Sequence, residues 1–415
     1  MQVPKTPPSN IEQALKQKAD VWMEINREYR LITPLFGGGE EPRQADSVTT
    51  VRPSEVKGHL RFWWRAIRGW QANGDLAKLL EIEESIWGGI SYASAASKVQ
   101  LRLEPRASGK EVKPFRVEKN KKGNWVAVPT GAAPPYVVFS LRPENEELKK
   151  KGENVEISPL RLGVSFTLHL KFPQEIAEEV LAALWAWETF GGIGGRTRRG
   201  FGAFQRSKAN PISEATIRDN LKRYSRREGW PENVPHLTPD SVIYLHPKRW
   251  QETVQCYERF RQWRTREDRR NPGRSRWPEP DAIRKLTGKW DPRHAPKQEN
   301  LINKFPRGQF GLPIIFHFKG KQDPPDSILK GKSLERHASP LAFRPLGKDG
   351  PTLVYVLEGN RKLPEAYALD TAPDEPIEVE LDPSEANRIE PLARVGGLTD
   401  PVLAFVEWLK GGCKR

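Results

Sequence analysis

The sequence is poor in sulfur: 415 residues contain two cysteines, Cys256 and Cys413, and two methionines. Two cysteines exclude the disulfide framework of a small secreted domain and a cysteine-built zinc site. The seven histidines (His59, His169, His236, His246, His294, His317 and His337) include no pair at the spacing of a metal-binding helix. No metal and no cofactor is therefore expected. A run of roughly 18 apolar residues, long enough to cross a bilayer, is missing too. The first residues, Met1 to Pro8, lack the apolar core of a signal peptide. A protein of the reducing cytoplasm, away from the membrane, is the expectation.

Two nucleotide motifs are also missing. A phosphate loop needs Gly-x4-Gly-Lys-Ser/Thr after a strand. Gly195-x4-Gly200 is followed by Phe201-Gly202 and preceded by a helical pattern. The dinucleotide fingerprint fails because Thr197 stands where its third glycine belongs. A mononucleotide is thus a poor candidate ligand.

Positive charge is what the chain has in excess. Its 68 Lys and Arg against 53 Asp and Glu leave a net charge of +15, with a pI near 9.7. Such an excess bears on partners and solubility, not on fold. Nucleic acid is the leading partner class, with an anionic membrane surface second. Fourteen tryptophans serve cores for the most part, with some left to stack on bases. The length suits about two domains or slightly more.

The chain is organised around residues 185–208, where an apolar helix runs into Gly191, Gly192, Gly194, Gly195, Gly200 and Gly202. Arg196, Arg198, Arg199, Arg206 and Lys208 lie among and after these glycines, with no acidic residue from Gly191 to Lys208. Glycine lets the backbone approach another molecule closely. Successive N–H groups form an anion concavity, and arginine adds a planar fork suited to phosphate. The stretch reads as a phosphodiester clamp. The competing reading is a helix cap followed by a hairpin turn, which needs fewer glycines.

Around this loop the order is legible. Residues 1–10 are Pro-rich, 11–26 resemble a short helix, and Glu28–Thr33 reads as a first strand stopped by Pro34. Ser54 is a candidate N-cap for a helix over residues 55–70. There Val56, Leu60, Trp63, Trp64, Ile67 and Trp70 share one face. Lys57, Arg61, Arg65 and Arg68 line a second stripe, with no acidic partner three or four residues away. That stripe is either a solvated face or a contact to RNA or DNA. A further helix spans 75–87, and Val99–Leu103 is a strand. A Lys-rich hairpin-like excursion follows, then Tyr136–Leu141 as a strand. Leu162–Leu170 alternates, with Val164, Phe166, Leu168 and Leu170 on one face. Glu175–Phe190 is the helix before the glycine loop, and Phe201–Phe204 a last short strand. Strand, helix, strand, strand, helix, strand is the ferredoxin-like, or split βαβ, pattern.

Asn210-Pro211 is a plausible boundary, and 213–240 reads as a polar linker. Residues 250–276 interleave arginines, Arg264 and Arg266 among them, with Tyr257, Phe260 and Trp263, and Trp277 follows. Basic residues among aromatics suit a nucleic-acid strand. A surface helix with its own ion pairs is the equal alternative. Gly311–Phe318 is expected as a buried strand, with His317 structural. Ser339–Pro345 and Thr352–Glu358 are further strands, and Asp400–Lys410 a terminal amphipathic helix. For catalysis, His59 on the basic helix and Asp46 in the polar loop before it are the only candidate acid–base groups. No convincing pair exists, which favours binding over chemistry.

These residues resemble the RAMP superfamily of CRISPR systems. Its glycine-rich loop, Gly-x-Gly-Gly, then Arg or Lys, then Gly-x-Gly, is matched by Gly192-Ile193-Gly194-Gly195 through Arg199-Gly200-Phe201-Gly202. Three further stretches are similar to the first RAMP subunits of type III-B (Cmr) effectors. They are Thr33–Gly38 with Val51–Arg65, Phe310–Ile315, and Arg336-His-Ala-Ser-Pro-Leu341. The resemblance implies an α+β chain of two tandem ferredoxin-like (RRM-like) domains with insertions. An N-terminal extension would cover residues 1–27, the first domain 28–210 and a more divergent second domain 211–415. It implies a non-catalytic RNA-binding subunit near the 3′ end of guide RNA, engaging single-stranded target RNA beside other Cmr subunits. The family's basic surface would fall on Arg52, Lys57, Arg61, Arg65 and the loop arginines. Arg68, Gly194, Gly195, Thr197, Arg264, Arg266 and Arg336 complete the candidate RNA-contacting set. Some RAMP proteins cleave guide RNA, so a metal-independent endoribonuclease is the alternative.

Overall fold

A computed structural model describes residues 22–39, 49–91, 95–209, 211–265, 273–296 and 301–414. The first strand, Trp22–Leu31 (β1), starts earlier than expected. Residues 22–26, expected to close a helix, are extended because Met23, Ile25, Tyr29 and Leu31 alternate inward. The remainder of that expected helix lies outside the described residues.

Helix Pro53–Arg68 (α1) begins with Pro53 at its first position and Arg52 at the N-cap without a side-chain cap bond. Proline's fixed φ sets the helix start one residue before the expected Ser54 cap. Val56, Leu60, Trp63, Trp64 and Ile67 are buried and pack α1 on helix Ala177–Phe190. Between them lie helix Leu76–Trp87 (α2), capped by Asp75, and strands Gln100–Ala107 (β2) and Ser165–Pro173. Three small inserted strands precede the latter: Lys110–Val112 (β3) and the hairpin Phe115–Lys119 (β4) and Trp125–Pro129 (β5). Leu160–Leu162 (β6) pairs with β3, so Ser165–Pro173 is β7 and Ala177–Phe190 is α3. Phe204–Arg206 (β8) completes a four-stranded antiparallel sheet ordered β2–β7–β1–β8.

Tyr136–Leu141, expected as a strand, is a helical turn, Pro135–Val138, running into a 3-10 turn. Pro135 in its first turn presets helical φ and could donate nothing to a sheet. The expected linker 213–240 holds helix Glu214–Tyr224 (α4), whose first turn is capped by the Ser213 hydroxyl accepting the Thr216 N–H at 3.1 Å.

The second half runs Ile243–His246 (β9), Trp250–Gln262 (α5), Glu279–Thr287 (α6), Ile314–Phe316 (β10), Ser327–Gly331 (β11), Leu341–Pro345 (β12) and Thr352–Val356 (β13). Tyr367–Leu369 (β14), Ala372–Ile377 (β15) and Pro401–Lys410 (α7) follow. One antiparallel sheet is ordered β12–β13–β9, a second β10–β11–β14–β15. Chain order β9–α5–β12–β13–α7 and sheet order β12–β13–β9 parallel β1–α1–β2–β7–α3 and β2–β7–β1. Among the described residues no strand flanks β9 as β8 flanks β1. Of the expected buried strand 311–318 only β10 is extended. It is an edge strand, with Ile315 half exposed.

Two large cores each mix both halves. Trp63 and Phe190 share one with Ile217, Leu353 and Tyr355. Phe36 and Phe201 share the other with Tyr257, Phe343 and Phe405. A smaller core under the second sheet contains Ile283, Phe305 and Leu329. Cys256 and Cys413, 157 residues apart, form a disulfide tying α5 to the segment after α7. No described helix is long and apolar enough to cross a membrane.

Candidate nucleic-acid interface

The glycine loop leaves α3 and is wedged against the segment after β1. Its backbone donors are largely spent within the protein. Gly191 N–H reaches Trp187 O, Ile193 N–H reaches Gly202 O, Gly195 N–H reaches Phe36 O at 2.7 Å, and Gly202 N–H reaches Pro34 O at 2.8 Å. Gly194 N–H donates to Glu55 Oε1 at 2.6 Å. The expectation of an open concavity of free N–H groups is therefore corrected: the loop closes on its own carbonyls and on one carboxylate. Gly202, at φ +59°, shows why glycine is needed, since a Cβ there would collide with the Ile193 carbonyl.

The loop arginines reach across to other parts of the chain. Arg196 donates to Val137 O at 2.9 Å. Arg198 donates to Ser339 O at 2.7 Å, and Arg199 to Leu341 O at 2.8 Å and Tyr257 Oη at 3.1 Å. Two further bonds cross the same seam: Arg344 Nη2 to Phe204 O at 2.6 Å and Tyr355 Oη to Phe190 O at 2.7 Å. Burial pushes the Arg344 guanidinium down to about 10, and burial lowers Arg198 as well. Much of what looked like a phosphate clamp fastens the first half to the second.

The basic stripe of α1 is also largely committed. Glu83 on α2, nearly fully buried, accepts Arg61 Nε at 2.5 Å and Arg65 Nη1 at 2.7 and 2.8 Å. Glu179 on α3 accepts Arg68 Nε at 3.1 Å, and Arg68 is buried. These partners lie too far along the chain for helical spacing to reveal. Lys57 is different: among the described residues it makes no ion pair, and burial followed by Arg61 beside it lowers its pKa. It lines a surface depression of about 440 Å³ with Arg61, Gly88 and the exposed Ile90.

Where α1, the loop and β13 meet, His59, Phe62, Trp63, Gly192, Thr197, Arg198, Tyr355 and Leu357 line a cleft of about 260 Å³. The helix and loop thus share one face, as the sequence reading required. His59 Nε2 stands 3.7 Å from Glu55 Oε1. Around this seam, buried polar atoms lack hydrogen-bond partners: Thr50 Oγ1, Arg52 Nε, Glu55 Oε2, His59 Nε2, Ser339 Oγ and Asn360 Oδ1. They are connected through the structure. Glu55 holds Gly194, Arg198 in the cleft holds Ser339 O, and Asn360 Nδ2 donates to Ala338 O at 3.3 Å. An unpaired buried donor or acceptor costs about 1–3 kcal/mol. Their concentration at one seam points to groups kept for a polar ligand. Sequence reasoning missed Glu55, Ser339 and Asn360. Glu55 had a signal, as the single acid of α1.

The other candidates are dispersed. Arg52 caps α1 and donates to Gly39 O at 3.2 Å. Arg336 is exposed on the approach to Ser339. Arg264 bridges to Ser275, while Arg266 and Asp46 lie outside the described residues. Tyr257, Phe260, Trp263 and Trp277 are buried in the second core. Their expected availability for base stacking is corrected. His317, expected to be structural in a buried strand, is exposed and faces Asp326 at 2.7 Å. The described residues hold no group of three or more His, Cys, Asp or Glu able to bind a metal.

Residues 28–205, the first sheet with its helices and the glycine loop, match the model of the RAMP superfamily. That stretch is a RAMP superfamily domain. Two curated proteins of Pyrococcus furiosus are similar to the chain. CRISPR system Cmr subunit Cmr1-2 is 27% identical over 183 residues, 42% of this chain and 90% of that protein. CRISPR system Cmr subunit Cmr1-1 is 28% identical over 161 residues, 39% of this chain and 41% of that protein. Among solved structures, apo Cmr1 from Pyrococcus furiosus has 21% identity and a TM-score of 0.42, covering 81% of this chain and 88% of that one. A chain of the type III-B Cmr-beta complex bound to cognate target RNA has 13% identity and a TM-score of 0.42, covering 81% and 94%.

Proposed function

We propose that this chain is an RNA-binding subunit of a type III-B CRISPR effector that holds RNA without cleaving it. The observation that carries this reading is the seam cleft, where unpaired buried polar atoms cluster beside Arg198 and His59. Support comes from the RAMP domain and from the similarity to two Cmr subunits. The partners are guide RNA toward its 3′ end, single-stranded target RNA and other Cmr subunits. The architecture is two ferredoxin-like units, the second without its final strand.

Lys57 supplies phosphate attraction at the entrance, and the Phe62 and Trp63 rings give the cleft an aromatic wall. Single strands are preferred over duplex, because only unstacked bases offer their faces to aromatic side chains. Fluorescence anisotropy with a single-stranded RNA at roughly 0.15 M salt tests the assignment. His59→Gln with Ser339→Ala should weaken binding roughly tenfold, about 1.4 kcal/mol, at an unchanged melting temperature. Unchanged affinity would remove the cleft from the RNA path. Competition between RNA and DNA of one sequence separates an RNA reader from a DNA binder.

A metal-independent endoribonuclease is the second reading, favoured by His59 Nε2, a buried and uncommitted imidazole nitrogen on the cleft. It would take the proton of a ribose 2′-hydroxyl as that oxygen attacks the adjacent phosphorus, water protonating the departing 5′-oxygen. Incubation with repeat RNA in chelator decides between the two. Products that vanish with His59→Ala establish cleavage; intact RNA leaves the holding role.

A further inference from the structure

The second half carries a cationic pocket outside the seam, between α6, the 273–275 turn and the edge strand β10. Its volume is about 240 Å³. Arg264, Arg274, Arg284, Arg307 and Lys319 contribute five cations to its wall, against a single lining carboxylate, Asp323. Two more carboxylates stand behind. Asp281 accepts Arg274 at 2.5 Å and Arg284 at 3.0 Å, and Glu279 accepts Arg307 at 3.0 Å. Even with all three acids counted, two positive charges remain in excess. The guanidiniums are held in place from the apolar side as well. Arg284 lies 5.1 Å from the Phe318 ring centroid and Arg307 5.3 Å from that of Phe316.

One wall residue has chemistry that nothing inside the protein uses. His294 is largely buried, and neither of its ring nitrogens makes a hydrogen bond. Its nearest carboxylate oxygen, Asp323 Oδ2, is 3.5 Å from Nδ1 and already accepts the Gly320 N–H at 3.2 Å. A buried imidazole without partners, inside a ring of arginines, suits a group that brings several acceptor oxygens and negative charge. The half-exposed Ile315 at the rim adds an apolar shelf.

We propose that this pocket is a phosphate-binding subsite, taking a phosphate group carried on an organic framework, with His294 as a hydrogen-bond donor to it. The shared chemistry fits a phosphate of an RNA strand or of a free nucleotide. It requires nothing of the seam cleft.

The test uses the full chain with labelled histidine side chains. The His294 signal is the imidazole resonance missing from the spectrum of His294→Ala, with His294→Gln as a second reference should the first fail to fold. Inorganic phosphate, UMP and a 5′-phosphorylated oligouridylate are titrated in turn. The His294 signal is expected to move with at least one probe, and Lys319→Gln to weaken that response roughly tenfold. Movement with UMP or phosphate assigns a free anion; movement with the oligonucleotide alone assigns a strand phosphate. In both cases His59→Gln in the seam leaves the response unchanged, so failure of the seam assignment is told apart. A His294 signal unmoved by all three probes overturns the proposal.

Discussion

The Glu55 carboxylate accepts the Gly194 N–H at 2.6 Å and thereby places a negative charge on a backbone donor of the glycine loop. A phosphate entering the loop must compete with it. Glu55→Gln keeps an oxygen for the N–H but removes the charge. It is expected to tighten RNA binding by roughly three- to tenfold at low ionic strength, with little change in melting temperature. Weaker binding would show that the carboxylate organises the loop and does not guard it.

Lys57 and Arg65 stand two turns apart on α1 but have different commitments. Lys57→Ala should lower RNA affinity evenly across sequences and reduce the slope of log K against log salt by about one. Arg65→Ala should change affinity less and stability more, by about 1–2 kcal/mol, because Glu83 loses two of its bonds. Salt titrations and denaturant unfolding of the two variants check the contrast.

Two glycines with positive φ separate conformational strain from collision. Gly123, at φ +77°, has open space where a Cβ would go, whereas Gly202, at φ +59°, meets the Ile193 carbonyl. Gly123→Ala should cost about 1–2 kcal/mol. Gly202→Ala should cost more than about 3 kcal/mol. Equal losses in thermal denaturation would mean that the loop can shift away from α3.

Three histidines make the fold acid-sensitive. Burial lowers the pKa of His236, His246 and His337 below their ordinary 6.5. Between 6.5 and each lower folded value the unfolded chain binds more protons. Stability is therefore fully present above 6.5 and is lost as pH falls from there toward the folded values. The melting temperature should drop from pH 7.5 to 5, and His236→Gln, which removes a ring stacked 4.2 Å from Trp230, should flatten the decline.

The first sheet was legible because its evidence is local. Val164, Phe166, Leu168 and Leu170 alternate over one strand, and Trp63, Trp64 and Ile67 recur at helical spacing over one helix. The commitments of the charged side chains were not local. Arg65 meets an acid 18 residues on and Arg68 one 111 residues on, so a search at helical spacing found an unpaired stripe. The second half was obscured differently. The two strands β10 and β11 are inserted between α5 and β12, and β14 and β15 between β13 and α7. The recurrence of the first unit's order shows only once pairing partners are known. Tyr257 and Phe260 read as stacking surfaces because composition does not say which side of a helix faces the core.

The way the two large cores are filled bears on how the chain can be divided. Neither half owns the surface that would bury Trp63, Phe190 and Tyr355, or Phe201, Tyr257 and Phe343. Two polypeptides separated within the link between β8 and α4 would each display the complement of the other's apolar face. The seam that offers a cleft for RNA is thus also a template for reassembly, and a split version of this molecule would report the meeting of whatever its two pieces were fused to.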